Sequence, residues 1–429
     1  MVNKAILEVR PAERPVNAAV TLPGSKSYTN RALIVAAMAE GESLLRQALF
    51  SDDTDYMAGA LRTLGIKVEE DREKEQFRIV GAEGLIPAHR AEVFVGNSGT
   101  TARFLTAFLA LGHGTYVVDG VERMRQRLIQ PLLDGLTQLG VMAYSRDGNG
   151  CPPVIVESDG FPGGVAAIHG DTSSQYFTAI LMAAPLSQKG VTLDVIGDLV
   201  SKPYLDMTGS TMRAFGAEMV NHDCRRFEVA GGQRYHARSY DIEPDASGAS
   251  YFLAAAAVTG GKVRVEHLGK SSAQGDLHFV DILERMGCTV VRAEDFTEVV
   301  GPRQLRGVDV DMGDISDTAQ TLAAIAPFAD GPVTIRGIAH VRVKETDRVA
   351  AVATELRRLG LRVDERQDGL TVHPGPVHPA DIETYDDHRM AMSFAVAGLR
   401  LPGLRIKDPD CVSKTFPDFW ERFAALFGN

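Results

Sequence analysis

The chain has 429 residues, more than one hydrophobic core ordinarily serves, so two domains are the default. Apolar residues make up 45% and charged residues 24%, which excludes a disordered or fibrous chain. A net charge of −11 disfavours nucleic acid and acidic membrane surfaces, so any anionic ligand needs cations gathered locally.

The N-terminal stretch MVNKAILEVRPAERPV has neither the apolar region of a signal peptide nor the character of a transit peptide. The longest apolar run, YFLAAAAV, is too short to span a bilayer. Cys151, Cys224, Cys288 and Cys411 are far apart and form no C-x-x-C, so they read as reduced thiols, not as a disulfide framework or metal site. A cytoplasmic protein is expected.

Along the chain two helix patterns alternate. The first is a polar turn followed by an almost wholly apolar helix, PGSKSYTNRALIVAAMAEGES. An amphipathic helix, a glycine and a strand follow in DYMAGALRTLGIKVEE. The polar turn returns in GNSGTTARFLTAFLALGHGTYVVDG, and the helix–glycine–strand in LTQLGVMAY. GDTSSQYFTAILMAAPLSQKGVTLDV then precedes MRAFGAEMV, and EPDASGASYFLAAAAVTGGKVRVEHL precedes LERMGCTVV. GDISDTAQTLAAIAPFADGPVTIRGI precedes LRRLGLRVD, and YDDHRMAMSFAVAGLRLPGLRIKD closes the series. The glycines, Gly65, Gly140, Gly216, Gly287 and Gly360, recur every 71 to 76 residues. Each stands where a helix needs a left-handed cap before a strand. Helices apolar all round predict burial, and starts rich in Ser, Thr, Asp and Asn predict capping. The chain therefore reads as an α/β protein of six similar units. They divide as three plus three into two similar domains with a cleft between them.

Capping does not explain the cations at the same turns. Lys26 and Arg31 belong to the first, Arg103 to the second, and His388 and Arg389 to the sixth. A helix start is already electropositive, so a cation there costs stability unless an anion sits opposite. Termini of this kind that converge make a phosphate or carboxylate site, each contributing about 0.3–1 kcal/mol. VERMRQRLIQ adds Arg123, Arg125 and Arg127, with Arg146 further on, and DPDCVSKTFPDF adds Lys414. In VRVKETDRVAA, Thr346 suits a cap and Asp347 the first turn, whereas Lys344 and Arg348 do not. Glu345 and Asp317 are the carboxylates suited to proton transfer, and Asp317 reads equally as a plain N-cap.

Taken together, LPGSKSYTNR, GNSGTTAR, SSQYFTAILMAAPL, GDLVSKPY, VKETDR, DDHRMAM and KTFPDF resemble the 5-enolpyruvylshikimate-3-phosphate (EPSP) synthase family, in order and across essentially the whole chain. The resemblance implies two similar inside-out α/β domains, each of three βαβαββ-type units. One spans residues 24–243, the other residues 1–23 with 244–429, with a hinge near 22–24 and 242–245. It implies transfer of the enolpyruvyl group of phosphoenolpyruvate to the 5-hydroxyl of shikimate 3-phosphate, a step towards chorismate and the aromatic amino acids. The reaction passes through a tetrahedral intermediate, releases phosphate and needs no metal or organic cofactor.

Carried over residue by residue, the resemblance assigns Lys26, Ser27, Arg31, Ser173, Ser174, Gln175, Ser201, Tyr204, Asp317, His340 and Lys344 to shikimate 3-phosphate. It assigns Lys26, Asn97, Gly99, Arg127, Gln175, Arg348, Arg389 and Lys414 to phosphoenolpyruvate. Glu345 is the implied acid at the methylene carbon, and Asp317 the base or orienting group at the hydroxyl. Lys26 shares in proton transfer, and His388 supports the phosphate site. A monomer that closes on its substrates is expected. Gly99 borders the pocket where glyphosate competes with phosphoenolpyruvate, so a glyphosate-sensitive enzyme is expected.

Three positions depart from the family pattern. His340 replaces an Asn and is expected to bring a pH dependence. Leu128 replaces the Pro after Arg127 and is expected to loosen that loop. Phe104 replaces a Pro after Arg103. Two rivals stand beside this reading. A transferase acting on UDP-N-acetylglucosamine usually carries a reactive Cys in the loop matching VERMRQRLIQP, and this chain has none there. A non-catalytic phosphometabolite-binding protein has no need of Glu345 and Asp317.

Overall fold

Residues 5–427 are described by the structure, a computed structural model. Twelve helices run in chain order: α1 (Lys26–Met38), α2 (Asp52–Thr63), α3 (Gly99–Phe108), α4 (Gln130–Gln138), α5 (Gln175–Ala183) and α6 (Pro203–Ala214), then α7 (Ala246–Thr259), α8 (Phe279–Arg285), α9 (Ala319–Ile325), α10 (Arg348–Arg358), α11 (His388–Gly398) and α12 (Phe419–Ala424). The odd-numbered helices are the apolar ones, and their residues are buried almost throughout. Each buried Val, Leu, Ile, Phe or Met side chain contributes about 1.5–3 kcal/mol, which favours placing these helices inside.

The chain divides into two compact units, residues 24–242 and residues 1–23 with 243–429, of which 5–23 and 243–427 are described. In residues 24–242, α3 packs on α1 and on α5. In the other unit α7, α9 and α11 pack on one another. Around them, among the described residues, lie six small sheets. The second is representative: Arg90–Phe94 runs parallel to His113–Asp119, which pairs antiparallel with Val154–Asp159, and that with Met142–Ser145. In chain order this is strand, inner helix, strand, outer helix and two strands.

Two sheets take their first strand from elsewhere in the chain. Ser239–Asp241 lies parallel beside Glu40–Arg46, and Asn17–Val20 parallel beside Lys262–Glu266. Each therefore completes the sheet next to a point where the chain passes between the units. The last sheet is shorter than the repeat predicts. It has three strands, with Ile6–Glu8 antiparallel to Arg405–Lys407 in place of a later strand of its own. The chain ends this repeat with the short α12 instead of a hairpin.

All five repeated glycines have positive φ, between 88° and 102°. At each, the next residue's N–H returns to a carbonyl five residues back: Ile66 to Leu61, Val141 to Leu136, Ala217 to Met212, Cys288 to Leu283 and Leu361 to Leu356. This 6→1 closure satisfies the orphan carbonyls, and a Cβ at the glycine would strain it. Among the described residues, no helix is long and apolar enough to cross a membrane.

Candidate active site

In residues 24–242 the cations gather around the starts of the inner helices. Lys26 is the first residue of α1, and its Nζ lies 3.3 Å from the buried carboxylate of Asp53 in the first turn of α2. Arg31 and Arg103 are not at helix starts but a full turn inside α1 and α3. Helical side chains point back towards the N-terminus, and positions four apart share a face. Arg31 Nη1 thus donates to the Ser27 carbonyl (2.9 Å) and Arg103 Nη1 to the Gly99 carbonyl (3.4 Å).

Arg31 is 1% exposed. Its Nε donates to Thr208 Oγ1 (3.0 Å) and its Nη2 to the Tyr204 carbonyl (3.0 Å), and the rings of Phe104 and Tyr204 lie 5.4 and 5.8 Å from its guanidinium carbon. Burial pulls its pKa down to about 10. Arg127 is buried and donates from Nη1 to the Asn97 carbonyl (2.9 Å) and side chain (3.1 Å). Its guanidinium covers Gly99, where a Cβ would come within 2.6 Å of Nη2. Of the neighbouring arginines, Arg125 turns outward to Asp119 (2.5 Å) and Arg123 to Gln126 (3.3 Å), so Arg127 is the one of these three that is buried. Arg103 Nη2 (2.8 Å) and the Tyr176 hydroxyl (2.7 Å) both donate to the Leu128 carbonyl. A proline would present the same carbonyl, so these bonds hold the loop whichever residue stands there.

Ser27, Arg31 and Tyr204 are thus in contact, as are Asn97, Gly99 and Arg127. Ser174 precedes α5 and is buried, Ser173 Oγ accepts the Gln175 N–H (3.2 Å), and Ser201 is held at φ 54°.

Charge is balanced differently around α9, α10 and α11. Asp317 takes three cations: Lys344 (2.7 Å) and Arg348 (3.1 Å) on Oδ1, and Arg389 (2.7 Å) on Oδ2. Arg348, 3% exposed, also reaches Glu345 (2.8 Å) and both oxygens of Asp387 (2.7 and 3.3 Å). Asp387 in turn caps α11 by accepting the Arg389 N–H (2.9 Å). The cap of α10 is Asp347, which accepts the Ala350 N–H (3.0 Å), and not Thr346. Arg348 therefore opens its helix next to three carboxylates, which removes the cost of a cation there.

Burial works to raise the Asp317 pKa, but Arg389, Lys344 and Arg348 outweigh it and hold the carboxyl well below its usual range. Burial opposes the charge on Arg348, yet Asp387, Glu345 and Asp317 more than offset it. Burial, and then the Lys344 cation, push His340 down to about 3. Burial thus favours the neutral ring and argues against the expected pH dependence near neutrality; its Nε2 pairs with Ser316 Oγ at 2.9 Å. His388 is buried as the first residue of α11, 3.6 Å from Asp387, and Lys414 is buried at the end of the 3-10 turn Pro409–Lys414.

Asp53, Asp387, Ser316 and Asp276 complete these clusters and escaped the sequence reading. Asp276 is buried, accepts from Ser247, and is pushed up to about 6 by burial and by Asp317. Asp53 and Asp387 each sit in a capping motif, SDDT and YDDHR, where a carboxylate has a local explanation. Their second partner, a cation from another helix, leaves no local trace.

Buried arginines on α1, α3, α10 and α11, in a chain of repeated units with apolar inner helices, define an inside-out α/β protein built to hold anions. A family profile described as "EPSP synthase (3-phosphoshikimate 1-carboxyvinyltransferase)" matches residues 11–423. Relatives named 3-phosphoshikimate 1-carboxyvinyltransferase include one from Nostoc punctiforme, 52% identical over 417 residues, covering 97% of this chain and 98% of its own. Another, from Trichormus variabilis, is 51% identical over 416 residues, with 97% and 98% covered. The solved EPSP synthase of Acinetobacter baumannii superposes with a TM-score of 0.81 at 25% identity over 98% of both chains. The chain belongs to the EPSP synthase family.

Proposed function

We propose that the chain transfers the enolpyruvyl group of phosphoenolpyruvate to the 5-hydroxyl of shikimate 3-phosphate and releases phosphate. The observation that carries this reading is the buried cluster in which Asp317 meets Lys344, Arg348 and Arg389, with Glu345 on the same Arg348. It supports this reading because it joins two carboxylates and three cations in one network, as an acceptor hydroxyl, a proton transfer and a polyanion require. Such preorganised charge acts most strongly in a site from which water is excluded.

In the reaction the 5-hydroxyl oxygen bonds to carbon 2 of phosphoenolpyruvate while carbon 3 takes a proton from Glu345. The bond from carbon 2 to the phosphate oxygen then breaks, carbon 3 returns its proton to Glu345, and the leaving phosphate takes up the proton that the hydroxyl gave up, relayed by Lys26. A carboxylate held as low as Asp317 is a weak base, so its role is to orient the hydroxyl and to balance the cations. Arg348, Arg389, Arg127 and Lys414, with Asn97, Gly99 and Gln175, hold phosphoenolpyruvate. Ser27, Arg31, Ser173, Ser174, Gln175, Ser201, Tyr204, His340 and Lys344 hold shikimate 3-phosphate. Lys26 serves both substrates and shares in proton transfer, and His388 supports the phosphate site. Glyphosate competes for the phosphoenolpyruvate site, and Gly99, which leaves room beside Arg127, makes the enzyme sensitive to it.

The test is phosphate release from phosphoenolpyruvate with shikimate 3-phosphate, and with UDP-N-acetylglucosamine as the control acceptor. Release with the control alone would overturn the reading. Glu345→Gln is expected to lower turnover by about a thousandfold while shikimate 3-phosphate still binds.

A further inference from the structure

A small, partly open chamber lies against α9 and α10, and Ser316 and Arg348 of the Asp317 cluster form part of its lining. Its volume, about 10 Å³ for the centre of a water, is room for one molecule. Most of the wall is apolar, from residues such as Ile338, Val341, Val349 and Leu370. Ser316, Gln320 and Arg348 supply its polar wall.

Gln320 is 3% exposed, and neither its Oε1 nor its Nε2 has a hydrogen-bond partner among the described residues. A primary amide buried with both ends unmet is costly, and native interiors rarely keep one. The neighbouring groups have capacity to spare. Arg348 spends four N–H bonds on Asp387, Asp317 and Glu345, which leaves one on Nη1, the nitrogen that holds Asp317. Ser316 Oγ lies 2.9 Å from His340 Nε2 and 3.5 Å from Lys344 Nζ. Lysine can only donate, so when the neutral imidazole donates as well, the serine's own proton is directed elsewhere.

We propose that this chamber holds one water, bound by Gln320 together with Ser316 and Arg348, and that Gln320 is thereby a positioning residue for the Arg348–Asp317 pair. A water suits the site because it donates and accepts at once, as the amide, the hydroxyl and the guanidinium require. It ties the plane of the Arg348 guanidinium to α9, the helix that follows Asp317. The kinetic part rests on the proposed transferase reaction, whereas the water itself does not.

A crystal structure of the whole chain at about 1.5 Å resolution is expected to show one round density peak within hydrogen-bond reach of Gln320 and Ser316. A chamber without that peak, with the amide turned onto a protein partner, overturns the proposal. Gln320→Met fills a similar volume without polar atoms. It is expected to lose the peak, keep or raise Tm, and lower kcat by about tenfold, since small misplacements of catalytic groups cost that much or more. KM for shikimate 3-phosphate stays within about twofold, a split that general destabilisation would not produce. Unchanged kcat in a folded Gln320→Met overturns the positioning role. Should that variant not fold, Ser316→Ala decides the same point from the other wall. Loss of phosphate release by the wild type would instead strike the proposed reaction and leave the density result standing.

Discussion

The arginines of the two units meet different hydrogen-bond partners. Around α1 and α3, Arg31, Arg103 and Arg127 spend their bonds on carbonyls, a hydroxyl and an amide oxygen. Around α9 to α11, Lys344, Arg348 and Arg389 are matched by Asp317, Glu345 and Asp387. Neutral oxygens orient a guanidinium but do not cancel it, so Arg31 keeps its attraction for anions. The second set is a balanced network in which a carboxylate can be handed from cations to substrate.

Removing one carboxylate from the balanced set is the hardest test. Asp317→Ala leaves Lys344, Arg348 and Arg389 facing one another in a buried site. It is expected to cost about 3–5 kcal/mol of stability, read by denaturant titration, as well as turnover. The matching change in the other unit is Arg31→Met. A cation paired with neutral oxygens is removed, so the stability cost should stay below about 2 kcal/mol while KM for shikimate 3-phosphate rises about a hundredfold. Equal stability losses in the two variants would erase the distinction.

The pH dependence of stability sharpens the same contrast. His340 has its pKa pushed from 6.5 down to about 3 in the folded chain. Its contribution is therefore fully present above pH 6.5 and is lost as pH falls towards 3, because the unfolded chain takes up a proton that the folded one refuses. His340→Asn should flatten that acid limb, by an amount on the order of a few kcal/mol, in urea titrations at a series of pH values. Arg31 titrates far above this window and gives no such limb.

The smallest effect on stability is expected at Gly99. A Cβ there meets the mobile end of Arg127, which can shift, so Gly99→Ala should change stability by less than about 1 kcal/mol. Because the shifted group is a ligand, KM for phosphoenolpyruvate and the inhibition constant for glyphosate should both rise, by about tenfold. Steady-state kinetics with glyphosate as competitor checks this.

Much of this molecule was legible in its sequence because the determining signals are local. Periodicity alone separates the buried helices from the amphipathic ones, and a glycine after a helix can be read as a left-handed cap because few other residues fit there. Six repeats, and so the α/β architecture, follow from those signals, and the motifs at the helix starts marked Lys26, Arg348 and Arg389 as cations in need of anions. What the sequence left open depends on contacts between distant segments. That Asp53 faces Lys26, that Asp387 grips Arg348, and that burial lowers the His340 pKa were decided by tertiary packing. So was the completion of two sheets by Asn17–Val20 and Ser239–Asp241, strands whose short runs carry no mark of their distant partners. A helix can announce its own face and its own ends, but the partner of a charge and the dielectric around it are properties of the folded chain.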